Sequence, residues 1–286
     1  MSERGVTLIL SDLHLGKGPC HAAALAPLLD GIDRLVLNGD SAELHLPGAQ
    51  ANAREELDLL HAECGRRGVA IDCLEGNHDL GISDRKHLLL DAGRVLVTHG
   101  DVFDPCVAPW APWAAEARRA VERTLASMPP AKRDSLEGHL AAARAAAACE
   151  WADPRLALRH SGALSLCLRP VAVMQVLAYW RRYPRLAADF ARRFLPQVQV
   201  IVCGHSHRPG AWRVDGRLVI NTGHFEFPAK PCAVRIESGT VELRGINRSQ
   251  RGYRLAESPR VRFTLAAAAP IADASTPVSM PQPESM

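Results

Sequence analysis

Asp12 and His14 stand two positions apart at the end of the apolar run LILSDLHLG, residues 8–16. In an extended chain, side chains two apart point to the same side. A carboxylate and an imidazole so placed can reach one common point just beyond the strand. The same arrangement recurs along the chain. RLVLNGD delivers Asp40, VAIDCLEGNHD delivers Asn77, His78 and Asp79, and RVLVTHGD delivers His99 and Asp101. VQVIVCGHSH delivers His205 and His207, and RLVINTGHF delivers Asn221 and His224. Asp12, His14, Asp40, Asn77, His99, His205 and His207 together offer two carboxylates, one amide and four imidazoles, with no thiolate. One ion takes roughly four to six ligands, so seven side chains point to two ions with a carboxylate between them. That donor set suits Mn, Fe or Zn. Two ions ~3.5–4 Å apart activate a bridging hydroxide and clamp both oxygens of an in-line displacement at phosphorus.

The elements that must position these residues are legible as patterns. Each run is rich in Val, Ile and Leu, as a strand buried on both faces is, and each gives way to Gly or a small polar residue. Helical patterns lie between the early strands: HAAALAPLLDGI, then NAREELDLLHAECGRRG, which closes with the Gly68 expected beyond a helix. Alternating strands and helices imply a largely parallel sheet with helices on its faces. Ligands of such sheets bind outside the carboxyl ends of the strands, where every polar cluster above falls.

Residues 105–198 differ, showing Ala-, Leu- and Arg-rich helical stretches and no clear strand. The stretches are APWAAEARRAVERTLASM, DSLEGHLAAARAAAACEWA and RPVAVMQVLAYWRRYPRLAADFARRFL, with Pro184 expected to break the last. Ligand-bearing strands resume afterwards, so the expected organisation is a discontinuous α/β domain, 1–104 and 199–264, with a helical insertion at 105–198. The Ala/Pro/Ser-rich tail, 265–286, is expected to be disordered.

The bulk numbers are those of a globular chain: 286 residues, 47% hydrophobic and 23% charged, with net charge +3. No apolar run approaches the ~18 residues of a membrane span, and the N-terminus has no secretory-signal pattern, so a cytoplasmic location is expected. None of the eight cysteines forms a C-x-x-C pair, which favours buried free thiols over a disulfide framework or zinc ribbon. Charge is uneven: −6 over residues 1–100 (9 Lys+Arg against 15 Asp+Glu), +5 over 101–198 (14 against 9) and +4 over 199–286 (11 against 7). The acidic third suits cations and the basic portions an anionic partner.

The ordered series DLH, NGDSAE, GNHD, THGD and GHSH resembles the motifs of calcineurin-like metallophosphoesterases. The resemblance implies a two-sheet αββα sandwich. It also implies one metal held by Asp12, His14, Asp40 and His207 and a second by Asp40, Asn77, His99 and His205, with Asp40 bridging. His78 would contact the phosphate and protonate the leaving oxygen, with Asp79 orienting it; an imidazole titrates near ~6.5, which suits that task. Within the superfamily, the insertion and GDSAE are similar to the UDP-2,3-diacylglucosamine pyrophosphate hydrolases, a branch that often carries Arg where this chain has His78.

The expected activity is metal-dependent hydrolysis of a phosphoester or diphosphate bond in a small-molecule or lipid-linked substrate. General phosphodiesterase or phosphoprotein phosphatase activity is the enzymatic alternative, and a non-catalytic scaffold on the same fold is the other. A nucleic-acid partner is not expected. Tyr179, Trp180 and Tyr183, with Arg181, Arg182, Arg185, Arg192 and Arg193, suggest a membrane-surface helix, an ordinary amphipathic helix being the alternative.

Overall fold

The computed structural model of the chain describes residues 5–152, 169–226 and 230–266. Alternation along the strands sets the layers. In β1 (Thr7–Leu10) and β2 (Arg34–Asn38), Leu8, Leu10, Leu35 and Leu37 face one way and Ile9 and Val36 the other. The leucines pack under a short helix, α1 (Ala22–Leu25), its 3-10 continuation Ala26–Leu29, and α2 (Gln50–Arg67). α2 ends, as expected, at Gly68 in the left-handed conformation. Ile9, Val36 and Leu74 meet a second sheet through Val95, Val97, Val200, Val202, Leu218 and Ile220.

Among the described residues, the first sheet has seven strands and the second five. β1, β2 and β3 (Ala70–Leu74) are parallel, and β9 (Cys232–Glu237) pairs antiparallel with β1. Beyond β9 lies β10 (Thr240–Ser249), which pairs with both β11 (Gly252–Leu255) and β12 (Val261–Thr264). The second sheet runs β4 (His87–Leu90), β5 (Val95–Thr98), β6 (Val200–Cys203), β8 (Arg217–Asn221), β7 (Gly210–Val214), with parallel pairing only at β5–β6 and β6–β8. The architecture is thus a mixed two-sheet sandwich rather than a largely parallel sheet. Periodicity detects buried strands, but strand direction depends on connections that periodicity does not encode.

The insertion region holds α3 (Ala114–Ala126), α4 (Pro130–Arg133), α5 (Leu136–Trp151) and the long α6 (Pro170–Phe194). Two expectations are corrected here. Pro184 does not break α6. It only frees the Trp180 carbonyl, which accepts instead from Arg208 Nη1 at 3.0 Å. Tyr179 and Tyr183 do not lie at a surface: they are 0% and 1% exposed, packed with Ala187 and Ala191 against Leu96, Ile201 and Val219. α6 is therefore the outer layer of the second sheet and part of the sandwich. Residues 153–168 and the tail from 267 lie outside the described residues. Leu265, placed by sequence in the tail, is buried and donates its N–H to the Gly239 carbonyl.

Candidate metal centre

The loops after β1, β2, β5 and β6 converge at one end of the sandwich. Backbone pairing continues into them: Asp12 N–H donates to the Gly39 carbonyl at 3.1 Å, His14 to Asp40 at 3.0 Å, and Gly204 to His99 at 2.9 Å. Asn38, at the end of β2, joins the sheets by donating Nδ2 to the Thr98 carbonyl at 3.1 Å. Asp12, His14, Asp40, His205 and His207 all have positive φ, from 49° to 63°. Such backbone costs energy for non-glycine residues and persists where surrounding structure enforces it. Glycines admit the close approach: a Cβ on Gly76 would overlap Asp40 Oδ1, and one on Gly204 would overlap Asp12 Oδ2.

Ligand-type atoms of Asp12, His14, Asp40 and His207 all lie within 4.8 Å of one another, as do those of Asp40, His99 and His205. Asn77 Oδ1 is 3.0 Å from His205 Nδ1. All seven candidates from the sequence thus meet around Asp40. One nitrogen of each of three imidazoles is held by a group outside the seven candidates. His14 Nδ1 faces Glu43 Oε1 at 2.9 Å, and His99 Nδ1 faces the Asn38 carbonyl at 3.1 Å. Among the described residues His14 Nε2 is buried with no hydrogen-bond partner, and His99 Nε2 faces Asp40 Oδ2 at 3.2 Å. His205 is held the other way round, Nε2 facing the Val107 carbonyl at 2.8 Å, which leaves Nδ1 on the Asn77 side. An orphaned imidazole nitrogen at His14 beside buried carboxylates is what a cation would satisfy, and the N/O donor set fits Mn, Fe or Zn.

The carboxylates are ionised against their burial. Burial pushes Asp40 up, but His99, His78 and His14 hold it well below the usual carboxylate range. Asp12 opposes burial in the same way, held at about 2 by His207, whose Nε2 is 3.1 Å from Oδ1. His207 stacks on His224, ring centroids 4.4 Å apart, so His224 does line the site. Burial and His207 push His224 down to about 4.

His78 sits at the rim with its side chain 20% exposed. Burial disfavours its protonation, but Asp40, Glu150 and Glu43 outweigh that and raise its pKa well above the usual histidine value. The expectation that Asp79 orients His78 is corrected. Asp79 accepts from Gly76 N–H at 2.6 Å and Ser41 N–H at 2.7 Å, so both oxygens are used on backbone. No contact between Asp79 and the His78 ring is present among the described residues. Glu43 faces the ring instead, Oε2 to His78 Nδ1 at 3.1 Å.

Glu43, Val107, Glu150 and Trp151 complete the surroundings and were not among the sequence candidates. Glu43 carried a signal, an acid three residues after Asp40. Glu150–Trp151 carried a weaker one, an acid–aromatic pair closing an alanine-rich helix.

The chain from residue 6 to 238 matches the model of the calcineurin-like phosphoesterase superfamily domain. The phosphoesterase Yfce from E. coli is similar at 13% identity and TM-score 0.45, covering 91% of this chain and 100% of that one. A dimetal phosphatase from Danio rerio gives 11% identity and TM-score 0.45, covering 87% and 98%. Vacuolar protein sorting 29 from Cryptosporidium parvum gives 15% and 0.42, covering 92% and 100%. Comparison with curated proteins finds no match. With the family model spanning most of its length, this chain belongs to the calcineurin-like phosphoesterase superfamily.

Proposed function

We propose that this protein is a dinuclear metal-dependent phosphoesterase that hydrolyses a phosphoester or diphosphate bond. The observation that carries the reading is the pair of buried ligand-atom groups that share Asp40, Asp12–His14–Asp40–His207 and Asp40–His99–His205, with His14 Nε2 unpartnered and His99 Nε2 3.2 Å from Asp40 Oδ2. Asp12, His14, Asp40 and His207 would hold one ion, and Asp40, Asn77, His99 and His205 the other. Bound there, the two ions supply Lewis-acid stabilisation of charge at phosphorus and activation of water.

The chain's own residues do the rest. Glu43 fixes both His14 and His78 through their Nδ1 atoms. His78 Nε2 is then the atom that holds the proton for the leaving oxygen, at a partly open rim where a substrate phosphate can reach it. Asp79 shapes the loop that carries His78 by binding the N–H groups of Gly76 and Ser41.

For the substrate, the reading favours a bulky diphosphate of the UDP-2,3-diacylglucosamine type. Its support is that α5 brings Glu150 and Trp151 to the His78 side of the centre, where a leaving group would lie. Membrane contact is retained in altered form, without Tyr179 and Tyr183. α6 exposes Val171, Met174 and Leu177 near its start and Arg181 and Arg185 one to two turns further on. That combination suits the cytoplasmic face of an anionic bilayer.

The test is hydrolysis by Mn²⁺-loaded protein of bis-p-nitrophenyl phosphate, sugar-nucleotide diphosphates and phosphopeptides, alongside metal analysis. Turnover of a diphosphate far above the others supports the full reading, and preference for a simple diester or a phosphopeptide replaces the substrate class. Metal-loaded protein inert on all three makes it a scaffold on the same fold.

A further inference from the structure

The insertion touches the proposed centre asymmetrically. His205 Nε2 faces the Val107 carbonyl at 2.8 Å. Val107 has φ 59°, an uncommon conformation for a β-branched residue, and it is 1% exposed. Asn77 donates Nδ2 to Glu150 Oε2 at 3.0 Å, and Trp151 Nε1 donates to the Asn77 carbonyl at 2.7 Å. On the same helix, Arg144 Nε donates to Glu75 Oε2 at 2.6 Å, two residues before Asn77. α5 therefore grips one loop at two points. Near Asp12, His14 and His207 the insertion bonds only neighbouring backbone, Trp180 Nε1 donating to the Ser206 carbonyl at 2.7 Å and the Tyr183 hydroxyl to the Gly204 carbonyl at 3.0 Å. Among the described residues, the side-chain partners of those three ligands, Glu43, Ser11 and His224 among them, lie outside the insertion.

Resting on the dinuclear reading above, we infer that α5 of the insertion governs one metal site selectively. Glu150 is a positioning residue for the site of Asn77, His99 and His205, and among the described residues it makes no direct contact with Asp12, His14 or His207. The physical basis is orientation. An Asn amide has two ends of opposite character, and a carboxylate on Nδ2 turns Oδ1 toward the ion. The Val107 carbonyl likewise holds the Nε2 proton of His205 and leaves the Nδ1 lone pair free for coordination. Outer groups of this kind are worth about 10–100-fold in metal affinity or activity.

The experiment is stepwise Mn²⁺ binding to the full-length protein by calorimetry, with electron paramagnetic resonance at each step, for wild type, Glu150→Ala, Glu150→Gln and Trp151→Phe. Wild type should bind two ions and develop the spin-coupled signal of a Mn pair. Glu150→Ala should leave one step unchanged, weaken the other about 10–100-fold, and show mononuclear Mn where wild type is coupled. Glu150→Gln keeps an acceptor for Asn77 Nδ2 and should restore most of the loss. Trp151→Phe should shift the same step by a smaller factor, which keeps the inference testable should Glu150→Ala fold poorly. Equal weakening of both steps, or no change in either, overturns the inference and leaves the phosphoesterase reading standing. A wild-type protein that binds no Mn²⁺ overturns both.

Discussion

Glu43 Oε2 lies 3.1 Å from His78 Nδ1 while its other oxygen lies 2.9 Å from His14 Nδ1. One fully buried carboxylate thus holds both the candidate proton donor and a candidate metal ligand. Removing His78 should leave metal content intact and lower kcat about 10²–10⁴-fold. The loss should shrink when p-nitrophenolate is the leaving group, because that group needs little protonation. Glu43→Gln should follow the same leaving-group pattern at about 10–100-fold. Equal losses on good and poor leaving groups would remove His78 from the proton-transfer role.

Asp40 is common to both ligand groups. Asp40→Ala should lower Mn stoichiometry below two and reduce turnover by several orders of magnitude. Chelation of the wild type should likewise lower thermal stability, since ligand at 100 times its Kd stabilises by about 2.7 kcal/mol. An Asp40→Ala protein with two bound ions and wild-type turnover would reject the shared-ligand assignment.

Gly204 is a steric requirement of the centre. A Cβ there would overlap Asp12 Oδ2 and Ser11 Oγ in the buried floor of the site. Gly204→Ala should destabilise by about 1–3 kcal/mol as an overpacking change. It should also weaken Mn²⁺ binding at the step that involves Asp12. A melting temperature and a titration equal to wild type would show that the floor yields freely.

Replacing 105–198 by a flexible linker should fail to give a native fold. α6 would go with the insertion, exposing Leu96, Ile201 and Val219, which it now covers. The expected product aggregates or binds hydrophobic dyes. A milder probe is Tyr183→Phe, which removes the 3.0 Å hydrogen bond from the Tyr183 hydroxyl to the Gly204 carbonyl and should cost about 0.5–1.5 kcal/mol. A soluble excision protein with native circular dichroism would show that α6 is dispensable.

Asp72 supplies a pH-dependent contribution away from the centre. Its burial works against ionisation, but Arg85 at 2.6 Å and Arg34 at 2.7 Å hold its carboxyl below the usual value. A folded pKa below the unfolded one gives stability that is full above the unfolded pKa of ~3.9 and fades as pH falls through the folded pKa. The stability gap between wild type and Asp72→Asn should therefore be constant from pH 5 to 7 (about neutral to mildly acidic) and narrow below ~3.9. A gap that widens with acidification would reverse the assigned sign.

By itself, the sequence determined the inventory of the centre. Apolar runs with ligand-type residues at their ends are a local pattern, and strand geometry alone places such ends together at one edge. Asp12, His14, Asp40, Asn77, His99, His205 and His207 could therefore be named from their positions, and all meet around Asp40. Tertiary structure decided what holds them. Which carboxylate faces His78 depends on Glu43 being folded back beside it while Asp79 is taken up by the backbone of Gly76 and Ser41. Whether Tyr179 and Tyr183 meet lipid or core depends on which face of α6 lies on the second sheet, since an amphipathic helix reads alike against either. Glu150 reaches Asn77 across 73 residues of sequence. Contacts of that kind leave no periodic trace, because they are set by how whole helices and sheets pack and not by the conformation of any one segment.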